Sequence, residues 1–130
     1  MEDNHRTRTI LIVDDQPEVL RLYSRGLEVS GHRVITAETV ELGMQLVDAA
    51  PPDAVLVDLK MPYVNGMGML YRLRQAHPRI PVALITGMQN LDKESLQEIA
   101  MLEAEVHYKP LSIVQIQWIV EHLLTKTPQQ

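Results

Sequence analysis

The 130-residue chain contains no cysteine. Disulfides, zinc fingers, iron–sulfur clusters and thiol catalysis are therefore excluded. No apolar run approaches the roughly 18 residues that span a bilayer, and the opening residues Met1 to Thr9 are polar and mixed in charge, unlike a signal peptide. An excess of basic charge is also missing. Lys and Arg number 12 against 17 Asp and Glu, a net charge of −5. That weakens any reading in which this chain grips nucleic acid or an anionic membrane. There is no linker, repeat or low-complexity tract inside the chain. What remains is ordinary globular usage, 45% hydrophobic and 22% charged, at a length typical of one domain with a real core. A soluble, cytoplasmic, single-domain protein is the expectation.

Two periods alternate along the chain. Thr9 to Val13 is a β-branched and aliphatic run, apolar on successive positions, which suits a strand buried on both faces. Pro17 fits the first turn of a helix. Val19, Leu20, Leu22, Tyr23, Gly26 and Leu27 fall on one side of that helix, and Gly31 closes it. Arg33 to Thr36 reads as a weaker second strand. A helix carrying Leu42, Met44, Leu46 and Val47 follows, and Pro51-Pro52 stops it. Ala54 to Val57 is a third strand ending at Asp58, followed by a loop from Leu59 to Asn65 and a helix with Met67, Leu70, Leu73 and Ala76. Val82 to Ile85 is a fourth strand ending at Thr86-Gly87. A helix near Leu91 to Met101 carries Leu96, Ile99 and Ala100. A short fifth strand, about Glu105 to Tyr108, ends at Lys109-Pro110. Ser112-x-x-Gln115 is a capping-box start for a last helix reaching about Leu124. Five βα units imply a parallel sheet covered on both faces.

Ligands of such sheets bind beyond the carboxyl ends of the strands. Asp14-Asp15, Asp58, Thr86 and Lys109 stand at those ends. A lone Asp after a strand is more often a turn or cap residue, and Lys109-Pro110 alone reads as a loop. The joint pattern of acid, acid, hydroxyl and base is much harder to reach by accident. Three close carboxylates repel, and their pKa values rise unless a cation neutralises them. Mg²⁺, which takes one or two carboxylates plus water and phosphate oxygens, fits best. One carboxylate is then free to act as a nucleophile toward a phosphoryl group.

With Ile12-Val13-Asp14-Asp15, Asp58-Leu59-Lys60-Met61-Pro62 plus Gly66, Thr86-Gly87 and Lys109-Pro110, the chain resembles a response-regulator receiver domain of two-component signalling. The resemblance runs from about Thr9 to Leu124. It implies a flavodoxin-like (βα)5 three-layer α/β sandwich with a five-stranded parallel sheet of order 2-1-3-4-5. The domain is expected at 9–124, with a polar extension at 1–8 and a tail or linker start at 125–130. That ragged end favours a receiver excised from a longer protein. The resemblance further implies that Asp58 accepts phosphate from a sensor histidine kinase or phosphotransfer protein. Asp15 and Asp58 would bind Mg²⁺ directly, Asp14 through water, and the Lys60 carbonyl would complete the protein ligands. Thr86 matches the hydroxyl that bonds the phosphoryl oxygen, and Lys109 the lysine that pairs with it. Such a domain turns over no separate metabolite. It is a switch and not an enzyme.

Two features depart from the family pattern. The switch aromatic expected three residues before the lysine is replaced by Val106, and the nearest aromatic is Tyr108, on the same strand face. Leu102-Glu103 stands where Gly-Ala is usual. Lys60 and Met88 flank the site. Met88 cannot position a water by a strong hydrogen bond, so slow self-dephosphorylation is expected. Among the histidines His107 shares strand parity with Lys109 and is expected near the crevice. On the last helix Ile113, Ile116, Ile119, Val120, Leu123 and Leu124 form the core stripe. Val114 and Trp118 lie opposite, an outward apolar pair that suggests a partner surface. The resemblance places a homodimer or output contact on the fourth helix, fifth strand and fifth helix, without direct nucleic acid or membrane binding.

Three other classes compete. A pseudo-receiver working without phosphorylation is the closest alternative, opposed by the full acid–Thr–Lys set. A phosphatase using Asp58 would resemble the haloacid-dehalogenase type, but Asp14-Asp15 are adjacent and no cap domain fits. A flavin carrier needs a phosphate-cradling loop after the first strand, where Asp14-Asp15-Gln16-Pro17 would repel phosphate.

Overall fold

The computed structural model describes residues 7–58, 63–87 and 91–126. Ten elements alternate: β1 (Thr9–Val13), α1 (Pro17–Val29), β2 (Arg33–Ala37), α2 (Val40–Ala49), β3 (Ala54–Asp58), α3 (Tyr63–Ala76), β4 (Val82–Thr86), α4 (Lys93–Met101), β5 (Ala104–Tyr108) and α5 (Ile113–Thr125). Every strand pair is parallel, and the sheet order is β2-β1-β3-β4-β5. The expected flavodoxin-like sandwich is the fold observed.

Strand alternation builds two cores. Leu11, Val13, Val55, Val57, Val82 and Leu84 face Met44, Val47, Leu70, Leu73 and Ile99 of α2, α3 and α4. Ile10, Ile12, Leu56, Ala83 and Ile85 face Leu20, Tyr23, Leu27, Ile116, Ile119, Val120 and Leu123 of α1 and α5. β1, β3 and β4 are covered on both sides, which explains their uninterrupted apolar runs. The outer strands β2 and β5 are only partly buried.

Local signals set the helix ends. Pro17 opens α1, and Gly31, at φ +94°, takes the left-handed turn beyond it. Thr39 caps α2. At α5 the Ser112 hydroxyl accepts from Gln115 N while Gln115 Oε1 accepts from Ser112 N, the reciprocal box expected. α1 and α5 meet at Gly26. A β-carbon there would lie 2.6 Å from Ile113 Cγ2, and Gln117 Nε2 donates to the Gly26 carbonyl at 2.8 Å.

Several expectations need correction. α3 starts at Tyr63, so Gly66 lies within a helix and not just past a loop. Burial of Gly66 and Met67 against the sheet outweighs the poor helix propensity of this stretch. α4 begins at Lys93, not near Leu91, because the Asp92 carboxylate caps it by accepting from Ser95 N at 2.7 Å. Leu22, Leu42 and Leu96 are exposed, outside their helices' buried stripes. Glu103 adopts φ 58° in the turn between α4 and β5, a left-handed conformation that glycine adopts with less strain.

Candidate functional site

β1 and β3 are neighbours although β2 leaves from β1 on the other side. Their carboxyl ends therefore flank the topological switch point, where ligands of open α/β sheets bind. Asp14 directly follows β1 and Asp58 ends β3. Both are buried, at 1% and 3% exposure. Asp14 is fixed through its own backbone, since its N–H donates to the Ala37 carbonyl and its Oδ1 accepts from Gln16 N at 2.9 Å. Asp15, the next residue, is exposed at the rim.

Lys109 Nζ donates to Asp58 Oδ2 at 2.7 Å. The lysine leaves the end of β5, and its N–H donates to the Thr86 carbonyl at 2.8 Å. Thr86 is fully buried at the end of β4, in register with Tyr108. Asp14, Asp58, Thr86 and Lys109 thus come together from four strand ends, as expected. Lys60 and Met88 lie outside the described residues.

The charge balance of this cluster is unfavourable. Burial pushes the Asp14 carboxyl up to about 7, helped by its hydrogen bond to Asp58 and that residue's charge; the Gln16 N–H and Lys109 oppose the shift. For Lys109 burial alone would lower the ammonium pKa, but the bond to Asp58 and the charges of Asp58 and Asp14 raise it. Among the described residues the Lys109 ammonium thus faces two buried carboxyls. A further cation would relieve the cluster, and the donor set suits Mg²⁺, which needs only one or two carboxylates. Among the described residues no three acidic or histidine side chains form a ready metal cage.

One neighbour was missed in the sequence. Tyr23 of α1, read there only as core, is close enough to feel Lys109, Asp58 and Asp14, while burial raises its phenol pKa. Its place in an apolar helical stripe hides it, since spacing does not show which end of the sheet a stripe residue faces.

The switch positions divide. Val106 packs into the core on the α2–α4 side. Tyr108 is 41% exposed. His107 does not bond into the crevice; its Nε2 meets Glu105 Oε1 at 3.0 Å. Glu105 also contacts His122 at 2.7 Å and Lys126. Burial alone would raise the Glu105 pKa, but its bonds to Lys126 and His107 hold it below the usual range. Trp118 is 60% and Val114 72% exposed, and the indole stacks on His122 with ring centroids 5.1 Å apart.

Comparison with known proteins agrees with this architecture. The family model described as response regulator receiver domain matches residues 10–120. The chain is 29% identical over 120 residues to the transcriptional regulatory protein PrrA of Mycobacterium tuberculosis, covering 90% of this chain and 50% of that one. The N-terminal domain of a response regulator receiver protein from Methanoculleus marisnigri is 32% identical, with a TM-score of 0.72, over 92% of this chain and 98% of that one. A CheY-like receiver domain protein from Methanospirillum hungatei shares the fold at a TM-score of 0.84 and 23% identity, over 94% and 97% of the two chains. The chain spans about half the length of the mycobacterial regulators it matches. No helix among the described residues is long and apolar enough to cross a membrane.

Proposed function

The chain belongs to the response-regulator receiver family, and on that premise we propose that it is a phosphorylation-controlled switch with Asp58 as phosphoacceptor. The observation that carries this reading is the Lys109–Asp58 contact at 2.7 Å, beside a second buried carboxyl at the switch point. A carboxylate oxygen of Asp58 attacks the phosphorus of a phosphohistidine on a sensor kinase or phosphotransfer protein. The phosphorus–nitrogen bond breaks, the imidazole leaves, and an acyl phosphate forms. Asp14, Asp15, Asp58 and the Lys60 carbonyl would hold Mg²⁺, which when bound stabilises charge on the phosphoryl oxygens. Lys109 shifts from the carboxylate to a phosphoryl oxygen, and the Thr86 hydroxyl donates to another.

Output runs through β5, because Lys109 and Thr86 are bonded across β4 and β5. The exposed Tyr108, Val114 and Trp118 make the surface of α4, β5 and α5 the expected homodimer or partner face, with Val106 in place of an aromatic switch. The receiver spans 9–124, flanked by the segments 1–8 and 125–130. It acts in the cytoplasm, contacts neither DNA nor membrane directly, and turns over no separate substrate.

The test is phosphotransfer. A labelled phosphohistidine donor protein should lose its label to the native chain and not to Asp58→Asn. Retention of the label, with Mg²⁺ shown to bind, favours the pseudo-receiver.

A further inference from the structure

A groove of about 510 Å³ runs between α3 and α4, away from the phosphoacceptor cluster. That volume is in the range of natural ligand pockets. Tyr71, Glu94, Gln97, Glu98, Met101 and Leu102 line it. Glu94, Glu98 and Met101 stand at i, i+4 and i+7 and so share one face of α4. The Tyr71 hydroxyl donates to Glu98 from the opposite wall. Among the described residues no cationic side chain lines the groove. The nearby arginines of α3 are engaged elsewhere: Arg72 pairs with Glu41 of α2, and Arg74 donates to the carbonyls of Leu102, Ile80 and Glu103.

Beyond the Tyr71–Glu98 bond, helix-end electrostatics and core packing do not explain this lining. Glu94 lies in the first turn of α4, where an acid is favourable. Glu98 lies past the middle of the helix, where that benefit is gone. Met101 is 83% exposed and contributes little to the core. An exposed, flexible thioether one turn beyond a carboxylate is suited to adaptable binding.

We propose that this groove docks a cationic amphipathic helix of a partner protein. The helix would seat an apolar residue on Met101, Tyr71 and Leu102, and place Lys or Arg one turn away against Glu94 and Glu98. The charge of the groove selects the occupant, since an acidic segment or nucleic acid is repelled by both glutamates. A second copy fits less well. The exposed arginines of α1, Arg21 and Arg25, are balanced on the same helix by exposed Glu18 and Glu28.

The experiment titrates the isotope-labelled full chain with a synthetic amphipathic helix of leucine, alanine, lysine and arginine, and separately with its glutamate counterpart. The basic peptide should give saturable amide shifts centred on Tyr71, Gln97, Glu98, Met101 and Leu102, and the acidic one none. Glu98→Lys should weaken binding about tenfold or more. Met101→Gln, which leaves the charge unchanged, should weaken it severalfold, while Glu28→Lys on remote α1 has no effect. Unchanged spectra away from the groove establish that the variants fold. Shifts scattered over the surface, or equal losses from Glu28→Lys and Glu98→Lys, would mean unspecific charge attraction and overturn the proposal. Concentration-dependent self-association abolished by Met101→Lys would also overturn it, by assigning the groove to a second copy.

Discussion

Lys109 Nζ and Asp58 Oδ2 are 2.7 Å apart although 51 residues separate them in the chain. The contact joins the end of β5 to the end of β3 across β4. It partners Asp58, while among the described residues no cationic side chain bonds to Asp14. Replacing Lys109 by alanine strands two buried carboxyls together. Stability at pH 8 should fall by about 3 kcal/mol, and the loss should shrink at pH 5 as a carboxyl takes up a proton. Urea unfolding at the two pH values measures this. An equal loss at both would show that the lysine acts through packing alone.

Asp14 gives the pH dependence its sign. Its folded-state pKa is raised to about 7 from an ordinary 3.8, so the folded chain holds that proton more tightly than the unfolded one. Stability contributed by this group is present at low pH, falls as pH rises from roughly 4 to 7, and levels off above. Asp14→Asn should therefore raise the melting temperature at pH 8 and change it little at pH 4. Added Mg²⁺ should stabilise the native chain most at pH 8 and Asp14→Asn much less. Thermal unfolding with and without Mg²⁺ checks both.

Gly26 allows α1 and α5 to approach. Gly26→Ala would gain helix propensity of about 1 kcal/mol, yet the β-carbon would fall 2.6 Å from Ile113 Cγ2. Because the clash is with a β-branched side chain that is stiff at χ1, net destabilisation of about 1–2 kcal/mol is expected. Gly26→Ala with Ile113→Ala should recover part of it in a double-mutant cycle.

Glu103 offers the opposite sign. At φ 58° a glycine removes a strain of about 1 kcal/mol, offset in part by the greater freedom of the unfolded chain. Glu103→Gly should raise the urea midpoint slightly. A lower midpoint would show that the glutamate side chain holds the turn.

Trp118 is largely exposed, so Trp118→Glu should leave stability within about 0.5 kcal/mol. It should abolish any increase in hydrodynamic size on phosphorylation. Sedimentation of native and variant chains, phosphorylated in parallel, tests the assignment of α5 to the output face.

The fold was legible because its punctuation is local and its strands are buried on both faces. Pro17, Gly31 and Ser112 with Gln115 end or begin helices by their own chemistry. The runs at Thr9, Ala54 and Val82 have the unbroken apolar pattern that only a covered parallel sheet needs. The cluster was legible because topology forces strand ends together, so that Asp14, Asp58, Thr86 and Lys109 converge whatever the loops do. The start of α3 was not legible, since tertiary burial of Gly66 and Met67 overrides weak helix formers. For His107 strand parity gives a face and not a partner, and Glu105 supplies the partner. Tyr23 and the acidic groove were invisible, since each depends on which residues two separate elements bring face to face.

The central claim, that Asp58 is the phosphoacceptor, is tested most directly by intact-mass analysis after incubation with acetyl phosphate. One phosphoryl adduct is expected, formed only with Mg²⁺ present, absent from Asp58→Asn and reduced in Lys109→Ala. An adduct that persists in a folded Asp58→Asn chain, or that forms equally without a divalent cation, would contradict it.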